Sequence, residues 1–290
     1  MLSELLHLLG TPILPTPSRF NGVTHDSRKV TPGDIYVALR GANFDGHDFI
    51  ANAMSMGAAA VIVEQSRQAL LVAGNIPGWS AQDPRQVMGY VADIVYNHPT
   101  HHMHVVGVTG TNGKTTTTLL TYHLLQKGGL NVGLGGNVGE SWAAQLVDGD
   151  KDWWVLEVSS FQIDGFKSLK PAVAVLTNIT PDHLDRYNYK IENYIASKVS
   201  LLKNMDEKDA AIYWLDDQLI QSGFQKVNLK ADRLPFSLKK PQNKGGYFDG
   251  NAITVQAVGK KLTINPKDII LKGTHNMLNT MCASLAATLA

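Results

Sequence analysis

HVVGVTGTNGKTTTT, residues His104 to Thr118, is the stretch from which the rest of the chain is read. It opens with the apolar run Val105-Val106-Gly107-Val108, which predicts a buried strand. It then turns through Gly110-Thr111-Asn112-Gly113 and enters a helix at Lys114-Thr115-Thr116. Strand, glycine loop, Lys-Thr and helix is the arrangement that holds a triphosphate. Glycines let the backbone approach closely, successive N–H groups aim at phosphate oxygens, and the helix N-terminus adds partial positive charge. In this pattern the lysine reaches the outer phosphates and the following hydroxyl can ligate Mg²⁺. The match to the general P-loop pattern is incomplete: it asks for a glycine at position 108, where valine stands. The bland alternative is a glycine turn carrying a chance Gly-Lys-Thr. A strand before it and a helix after it weigh against that alternative.

Working outward, 290 residues suit two domains better than one. Hydrophobic content of 44% with 18% charged residues indicates a soluble globular chain. A net charge of +1 without a basic run gives no footprint for nucleic acid. The single cysteine, Cys282, cannot form an internal disulfide, which fits a reducing compartment. Its expected role is filler on the last helix. Met1–Leu9 is short, carries Glu4 and His7 and lacks a basic start, so it reads as an amphipathic helix, not a signal peptide. No apolar run approaches the roughly 20 residues that span a bilayer. The expected location is cytoplasmic, without membrane association.

Residues 1–98 read as a small α/β domain, with strands at Ile35–Leu39 and Ala58–Val63 and helices at Asp48–Met56 and Gln86–Tyr96. Asn97–His102 breaks the pattern and marks the boundary. His101, His102 and His104 invite a metal reading, but no cysteine or carboxylate stands beside them, and a solvated connector explains them better. Residues 99–290 read as the second domain, where strands and helices alternate. Strands are expected at 104–109, 130–134, 153–158, 172–176 and 210–214, and helices at 114–127, 141–147, 191–202 and 275–290. Continuous apolar strands suit a parallel sheet covered on both faces. Short alternating segments between 227 and 271, Ile269–Leu271 among them, predict an antiparallel edge.

Ligands of such sheets bind beyond the carboxyl ends of the strands. Three strand ends carry polar clusters: the glycine loop, Glu157-Val158-Ser159-Ser160-Phe161-Gln162, and Thr177 to Arg186 with Asp182 and His183. A carboxylate ending a buried strand needs a cation. For Glu157 that is Mg²⁺ shared with a nucleotide, or a salt bridge to Lys114. His183 is as easily a capping histidine as a ligand, and Lys198 by pattern alone is an ordinary surface lysine.

With these residues set out, the chain resembles the Mur ligases, ATP-dependent enzymes that add amino acids to the peptide of bacterial cell-wall precursors. VTGTNGKTT at 108–116, EVSSFQ at 157–162, TNITPDHLDRY at 177–187, Lys198 and GTHNMLN at 273–279 carry the likeness over about 104–290. Gly110–Lys114 alone would also allow folylpolyglutamate or cyanophycin synthetases. The resemblance implies a small N-terminal α/β domain that binds the UDP-MurNAc precursor. It is followed by a P-loop-type central domain with a mostly parallel sheet flanked by helices and an antiparallel edge. EVSSFQ, GGNVG at 135–139 and DHLDRY are most similar to the D-glutamate-adding members, whose substrate is UDP-N-acetylmuramoyl-L-alanine. DSRKV at 26–30, PGD at 32–34 and DGHDFI at 45–50 instead resemble the first domain of members that add later residues, L-lysine or diaminopimelate among them.

The resemblance also implies roles. Gly110, Thr111, Asn112, Gly113, Lys114, Thr115 and Thr116 bind the ATP phosphates, and Asn276 and Asn279 contact the adenine. Thr115 (or Thr116) and Glu157 hold one Mg²⁺. His183, with Lys198 once carbamylated, supports a second. Lys114, Glu157, His183 and Lys198 form the catalytic set. Asn137, Ser159 and Gln162 face the uridine-nucleotide substrate, and Ser27, Arg28 and His47 are candidates for its uridine end, although a turn with a salt bridge accounts for Asp26 and Arg28 equally well. Family members have three domains; the chain stops inside the helix closing the second, which reads as a fragment lacking roughly 150 residues, with little turnover of its own. The enzyme is expected to act as a monomer. A nucleotide-binding partner subunit without activity is the competing class, and a generic P-loop kinase a remote one.

Overall fold

The structure, a computed structural model, describes residues 1–41, 43–98, 103–139, 142–145, 151–166 and 168–290. The chain divides into two compact units, Met1–Pro99 and Thr100–Ala290.

In the first unit, helix α1 (Leu2–Leu9) precedes strands β1 (Val23–Thr24) and β2 (Ile35–Val37). Helix α2 (Ile50–Ser55), strand β3 (Ala60–Glu64), helix α3 (Ala69–Ala73), strand β4 (Gly78–Ala81) and helix α4 (Pro84–Val95) follow. The sheet order is β1-β2-β3-β4, and every pair is parallel. Alternation along the strands separates two cores. Ile35, Val37, Ala60 and Ile62 join Leu5, Trp79 and Val91 on one face, and Tyr36, Val61 and Val63 join Ile50 and Leu71 on the other. Helix α4 starts at Asp83, whose carboxylate accepts from the N–H groups of Arg85 and Gln86, with Pro84 at the first helical position.

The second unit runs β5 (His104–Thr109), α5 (Lys114–Lys127), β6 (Val132–Gly136), α6 (Trp142–Gln145), β7 (Trp153–Glu157), α7 (Ser160–Gly165), β8 (Val173–Leu176), α8 (Ile191–Val199), β9 (Ala210–Trp214) and α9 (Gln218–Phe224). It continues with β10 (Asp232–Ser237), β11 (Gly245–Phe248), β12 (Ile253–Ala257), β13 (Lys260–Ile264) and α10 (Thr274–Leu289). The sheet order is β13-β12-β11-β10-β9-β8-β5-β7-β6. Pairing is parallel from β6 through β11 and antiparallel only at β11-β12 and β12-β13. Leu125 of α5 and Met281, Cys282 and Leu285 of α10 cover one face; Ile163, Ile195, Val199 and Ile220 from α7, α8 and α9 cover the other. Burial raises the Cys282 thiol far above its ordinary range, in keeping with the filler role.

The expected mixed α/β class, with a mostly parallel sheet and an antiparallel edge, is the one observed. Three particulars differ. The antiparallel region begins later than expected, because β10 pairs parallel with β9 and β11. Pro235 within β10 masked it as a strand, since proline gives the ladder no N–H. No strand forms at Ile269–Leu271: Pro266–Asp268 makes a 3-10 turn capped by Asn265, and Ile270 is 90% exposed. The short elements α3, β4, α7 and α9 gave too little periodicity to be read. Residues 99–102, with His101 and His102, and parts of the expected helix 141–147 lie outside the described residues. His104 stacks on Trp153 at 4.8 Å. No helix among the described residues is long and apolar enough to cross a membrane.

One buried carboxylate ties two elements beside the site together. Asp217 Oδ1 accepts from the N–H groups of Leu219 and Ile220, capping α9, while Oδ2 accepts from Ile179 N at 2.7 Å in the segment after β8. Asp217→Ala removes a cap, worth about 1 kcal/mol, and strands a buried N–H at about 1–3 kcal/mol. A loss of about 3 kcal/mol in the denaturant-unfolding free energy is therefore expected. A loss below half a kcal/mol would show that water replaces the carboxylate.

Candidate active site

Strand order decides where a ligand can sit. From β5 the chain crosses through α5 to the β6-β7 side, whereas from β8 it proceeds to β9 on the other side. Connections leaving in opposite directions open a crevice at the carboxyl ends of β5 and β8. The glycine loop lies after β5 and the Thr177–Arg186 cluster after β8, so the two meet there.

The loop is held from β8. Asn112 N–H donates to Asn178 Oδ1 at 2.9 Å, while Asn178 Nδ2 and Thr177 Oγ1 donate to Asn112 O at 2.8 and 2.7 Å. Thr111 Oγ1 donates to Thr180 O and accepts from Thr180 N. Gly110 has no room for a Cβ, which would strike Thr177 Oγ1 and the Asn178 backbone. Gly113, at φ 78°, begins α5 in the left-handed region with Asn279 against it. The Lys114 ammonium folds back onto Thr111 O at 2.8 Å. The N–H groups of Thr111 and Asn112 are thus spent on Asn178, and the N-terminus of α5 with the Lys114 ammonium beside it supplies the chemistry of an anion site.

Glu157 ends β7, is only 2% exposed, and sits among neutral groups. Thr115 Oγ1 donates to its Oε2 at 2.7 Å and Asn137 Nδ2 to its Oε1 at 3.1 Å. Among the described residues it forms no ion pair, so the alternative of a bridge to Lys114 is not what the structure has. A buried carboxylate beside a hydroxyl, with no counter-charge, is a hard-oxygen donor set that fits Mg²⁺, which takes one or two protein ligands and completes its shell with phosphates and water. No cluster of three or more His, Cys, Asp or Glu suited to a metal occurs among the described residues.

Lys198, on α8, is not the surface lysine its pattern suggested; it is 2% exposed. Its ammonium donates to Gly110 O at 2.7 Å and lies 4.7 Å from the centre of the Tyr194 ring. Burial, reinforced by the Lys114 charge and opposed by Asp182, brings its pKa down to about 7. His183 takes the left-handed conformation at φ 49° and remains half exposed. Its ring meets the edge of Phe161 at 5.2 Å, Phe161 stacks on Tyr187 at 6.3 Å, and Tyr187 meets Tyr194 at 5.3 Å. Three aromatic rings thus connect His183 with Lys198.

Asn276 and Asn279 lie in the first turns of α10, joined by a 3.2 Å hydrogen bond, and Asn279 also accepts from Thr117. With Gly113, Thr116, Asn178 and His275 they line a cavity of about 350 Å³ beside the loop. Ser159 and Gln162 are occupied with each other, forming the capping box of α7.

In the first unit, Ser27 and Arg28 line a cavity of about 870 Å³ with Phe44, Phe49, Asn52 and Arg85. Arg28 grips Asp26 through two contacts at 2.9 and 2.8 Å and holds that carboxyl well below its usual range. His47 does not line the cavity. Its Nδ1 sits 2.6 Å from Asp45 Oδ1, and its Nε2 accepts from Glu64 N, so both ring nitrogens serve the fold. Sequence reading missed Phe44, although it is 73% exposed inside a polar loop. It missed Thr177, Asn178, Thr180 and Tyr194 as individual loop contacts as well. Their strand-end cluster was visible, but which groups touch the loop was not.

The description "Mur ligase middle domain" matches residues 108–287, and "Mur ligase family, catalytic domain" matches 19–96. The UDP-N-acetylmuramoylalanine--D-glutamate ligase of Christiangramia forsetii is 48% identical over 185 residues, 64% of this chain and 42% of that protein. The protein of the same name from Cytophaga hutchinsonii is 44% identical over 196 residues, 67% and 44% of the two chains. The structure of UDP-N-acetylmuramoyl-L-alanyl-D-glutamate--2,6-diaminopimelate ligase covers 93% of this chain and 59% of its own at 25% identity, with a TM-score of 0.69. The chain therefore spans less than half the length of the curated relatives it matches.

Proposed function

From the membership of this chain in the Mur ligase family, we propose that it supplies the precursor-binding and ATP-binding units of a cytoplasmic ligase joining D-glutamate to UDP-N-acetylmuramoyl-L-alanine. The observation that carries the reading is Glu157, a buried carboxylate that forms no ion pair among the described residues and is hydrogen-bonded to the Thr115 hydroxyl next to the phosphate loop. The D-glutamate specificity is supported by the names of the relatives at 48% and 44% identity.

The chemistry follows from the charges. An oxygen of the precursor carboxylate attacks the γ-phosphorus of ATP, the bond to the β-phosphate oxygen breaks, and ADP and an acyl phosphate result. The amine of D-glutamate then attacks the acyl carbon, loses a proton, and inorganic phosphate leaves. Positioning and charge neutralisation dominate such transfers. Lys114 would leave Thr111 O for the β- and γ-phosphates, and the N–H groups at the start of α5 would take the remaining oxygens. The cavity at Asn276 and Asn279 would receive the adenine. Thr115 and Glu157 would hold Mg²⁺, which draws charge from the phosphate oxygens. Lys198, titrating at about 7, presents a neutral amine that can add to CO₂, giving a carbamate and a proton; that anion, with His183, would support a second Mg²⁺. The cavity at Ser27, Arg28 and Phe44 would take the uridine end.

A second reading is a ligase that adds a diamino acid to the dipeptide precursor. It is favoured by the first-unit stretches at 26–30, 32–34 and 45–50 and by the diaminopimelate ligase neighbour. Phosphate release by the whole gene product, with ATP and Mg²⁺, separates the two. D-glutamate-dependent release with UDP-N-acetylmuramoyl-L-alanine is the expected result. Release only with the dipeptide precursor and diaminopimelate or L-lysine would replace the first reading by the second. No release with any pair would leave a nucleotide-binding subunit.

A further inference from the structure

Tyr194 and Lys198 stand four residues apart on α8 and so share one face. Both reach the phosphate loop. Lys198 donates to the carbonyl of Gly110, and the Tyr194 hydroxyl lies 3.2 Å from Thr111 Oγ1. Proton bookkeeping fixes the direction of the second contact. A threonine hydroxyl has one hydrogen and two acceptor sites. The Thr111 hydrogen goes to Thr180 O at 3.0 Å, and one acceptor site takes Thr180 N–H at 2.9 Å. The remaining site is an acceptor, so Tyr194 is the donor. Thr111 is thereby saturated, and its side chain has a single orientation.

The tyrosine is fixed in turn. It is 2% exposed, and Tyr187 meets its ring edge-on at 5.3 Å. The Tyr187 hydroxyl donates to Asp164 at 3.0 Å and lies 3.3 Å from Ser197 Oγ. The peptide joining Gly110 to Thr111 is therefore gripped from α8 at both residues, one through its main chain and one through its side chain.

We propose that Tyr194 is a positioning residue of the phosphate loop, its hydroxyl holding Thr111 so that the loop already presents the N-terminus of α5 when the phosphates of a nucleotide arrive. The proposal rests on reading this loop as a nucleotide site. It deepens that reading by naming a residue that touches no nucleotide atom and acts through Thr111. Tyr194→Phe keeps the ring, its contact with Tyr187 and its packing over Lys198, and deletes only the latch.

The test is calorimetric titration of the whole gene product with the β,γ-imido analogue of ATP plus Mg²⁺, and separately with adenosine, which has no phosphates. Tyr194→Phe, Thr111→Val and the double variant are compared with the parent. One hydrogen bond lost predicts roughly 3- to 10-fold weaker binding of the ATP analogue by Tyr194→Phe. The double variant should bind no more weakly than Thr111→Val alone, because the hydroxyl has no other route to the loop. Adenosine affinity should be the same in Tyr194→Phe and the parent. Unchanged binding of the analogue, losses that multiply in the double variant, or an equal loss for adenosine would each overturn the positioning role. A parent chain that binds neither ligand would instead overturn the nucleotide reading and the proposal with it.

Discussion

Glu157→Gln is expected to abolish turnover in the whole gene product while leaving the fold as stable as before, or more so. Most losses of function at buried positions come with lost stability, but the physical case here runs the other way. The carboxylate is 2% exposed and is met by two neutral donors, Thr115 and Asn137. A buried anion in that setting costs free energy that a neutral amide of the same shape does not. Glutamine keeps an oxygen for Asn137, and its amide can donate to the Thr115 hydroxyl. What it lacks is the charge for Mg²⁺, and a metal at a phosphoryl group is worth several kcal/mol of transition-state stabilisation. The expected fall in phosphate release is on the order of 10³-fold or more. Thermal unfolding gives the second measurement. Mg²⁺ should add to the rise in melting temperature that ADP alone gives the parent and add nothing to it in the variant, since only a ligand that binds the native state shifts it. A variant that loses several degrees without nucleotide would show that Glu157 is part of the fold and not of a metal site.

Lys198→Met should likewise separate stability from function, with a pH signature. The ammonium titrates at about 7 in the folded chain, against 10.5 for an ordinary lysine, because burial and then the Lys114 charge disfavour it. Below pH 7 both folded and unfolded chains hold the proton, and the whole cost of the buried charge is present. Between about 7 and 10.5 the unfolded chain holds a proton that the folded chain has released, so the stability contribution rises with pH. The full difference is roughly 5 kcal/mol. Methionine has similar length and no charge. Lys198→Met should therefore be more stable than the parent at pH 6 by a few kcal/mol, with the gap closing towards pH 10, as read from urea midpoints across pH. Phosphate release should fall on the order of 10³-fold at every pH, because no carbamate can form. A gap that does not change with pH would show that the lysine is neutral or carbamylated throughout the range, and retained turnover would remove it from the catalytic set.

Much of this was legible before any coordinates. Val105 to Val108 and Gly110 to Lys114 specify a strand, a turn and a helix start within ten residues, and the structure has β5, the loop and α5 there. Local patterns failed where local signals are weak or contradictory: Pro235 inside β10, the short elements α3, β4, α7 and α9, and Ile269 to Leu271, apolar but left outside by the turn at Pro266. Lys198 shows the same limit at a single position. Its neighbours Ala196 and Ser197 say nothing of burial, and only the packing of α8 against the loop does.

The amino-acid sequence alone determined the class of the fold, the phosphate loop and the residue types able to neutralise phosphate charge, because each is written in contiguous stretches whose backbone preferences are local. The tertiary structure alone decided which groups meet. Thr115 reaches Glu157 across 42 positions, Asn112 reaches Asn178 across 66, Tyr194 reaches Thr111 across 83, and Lys198 reaches Gly110 across 88. Those meetings depend on β5 lying between β7 and β8. Strand order is fixed by the handedness and direction of the crossovers, together with the burial they allow; no periodicity within a single segment contains it.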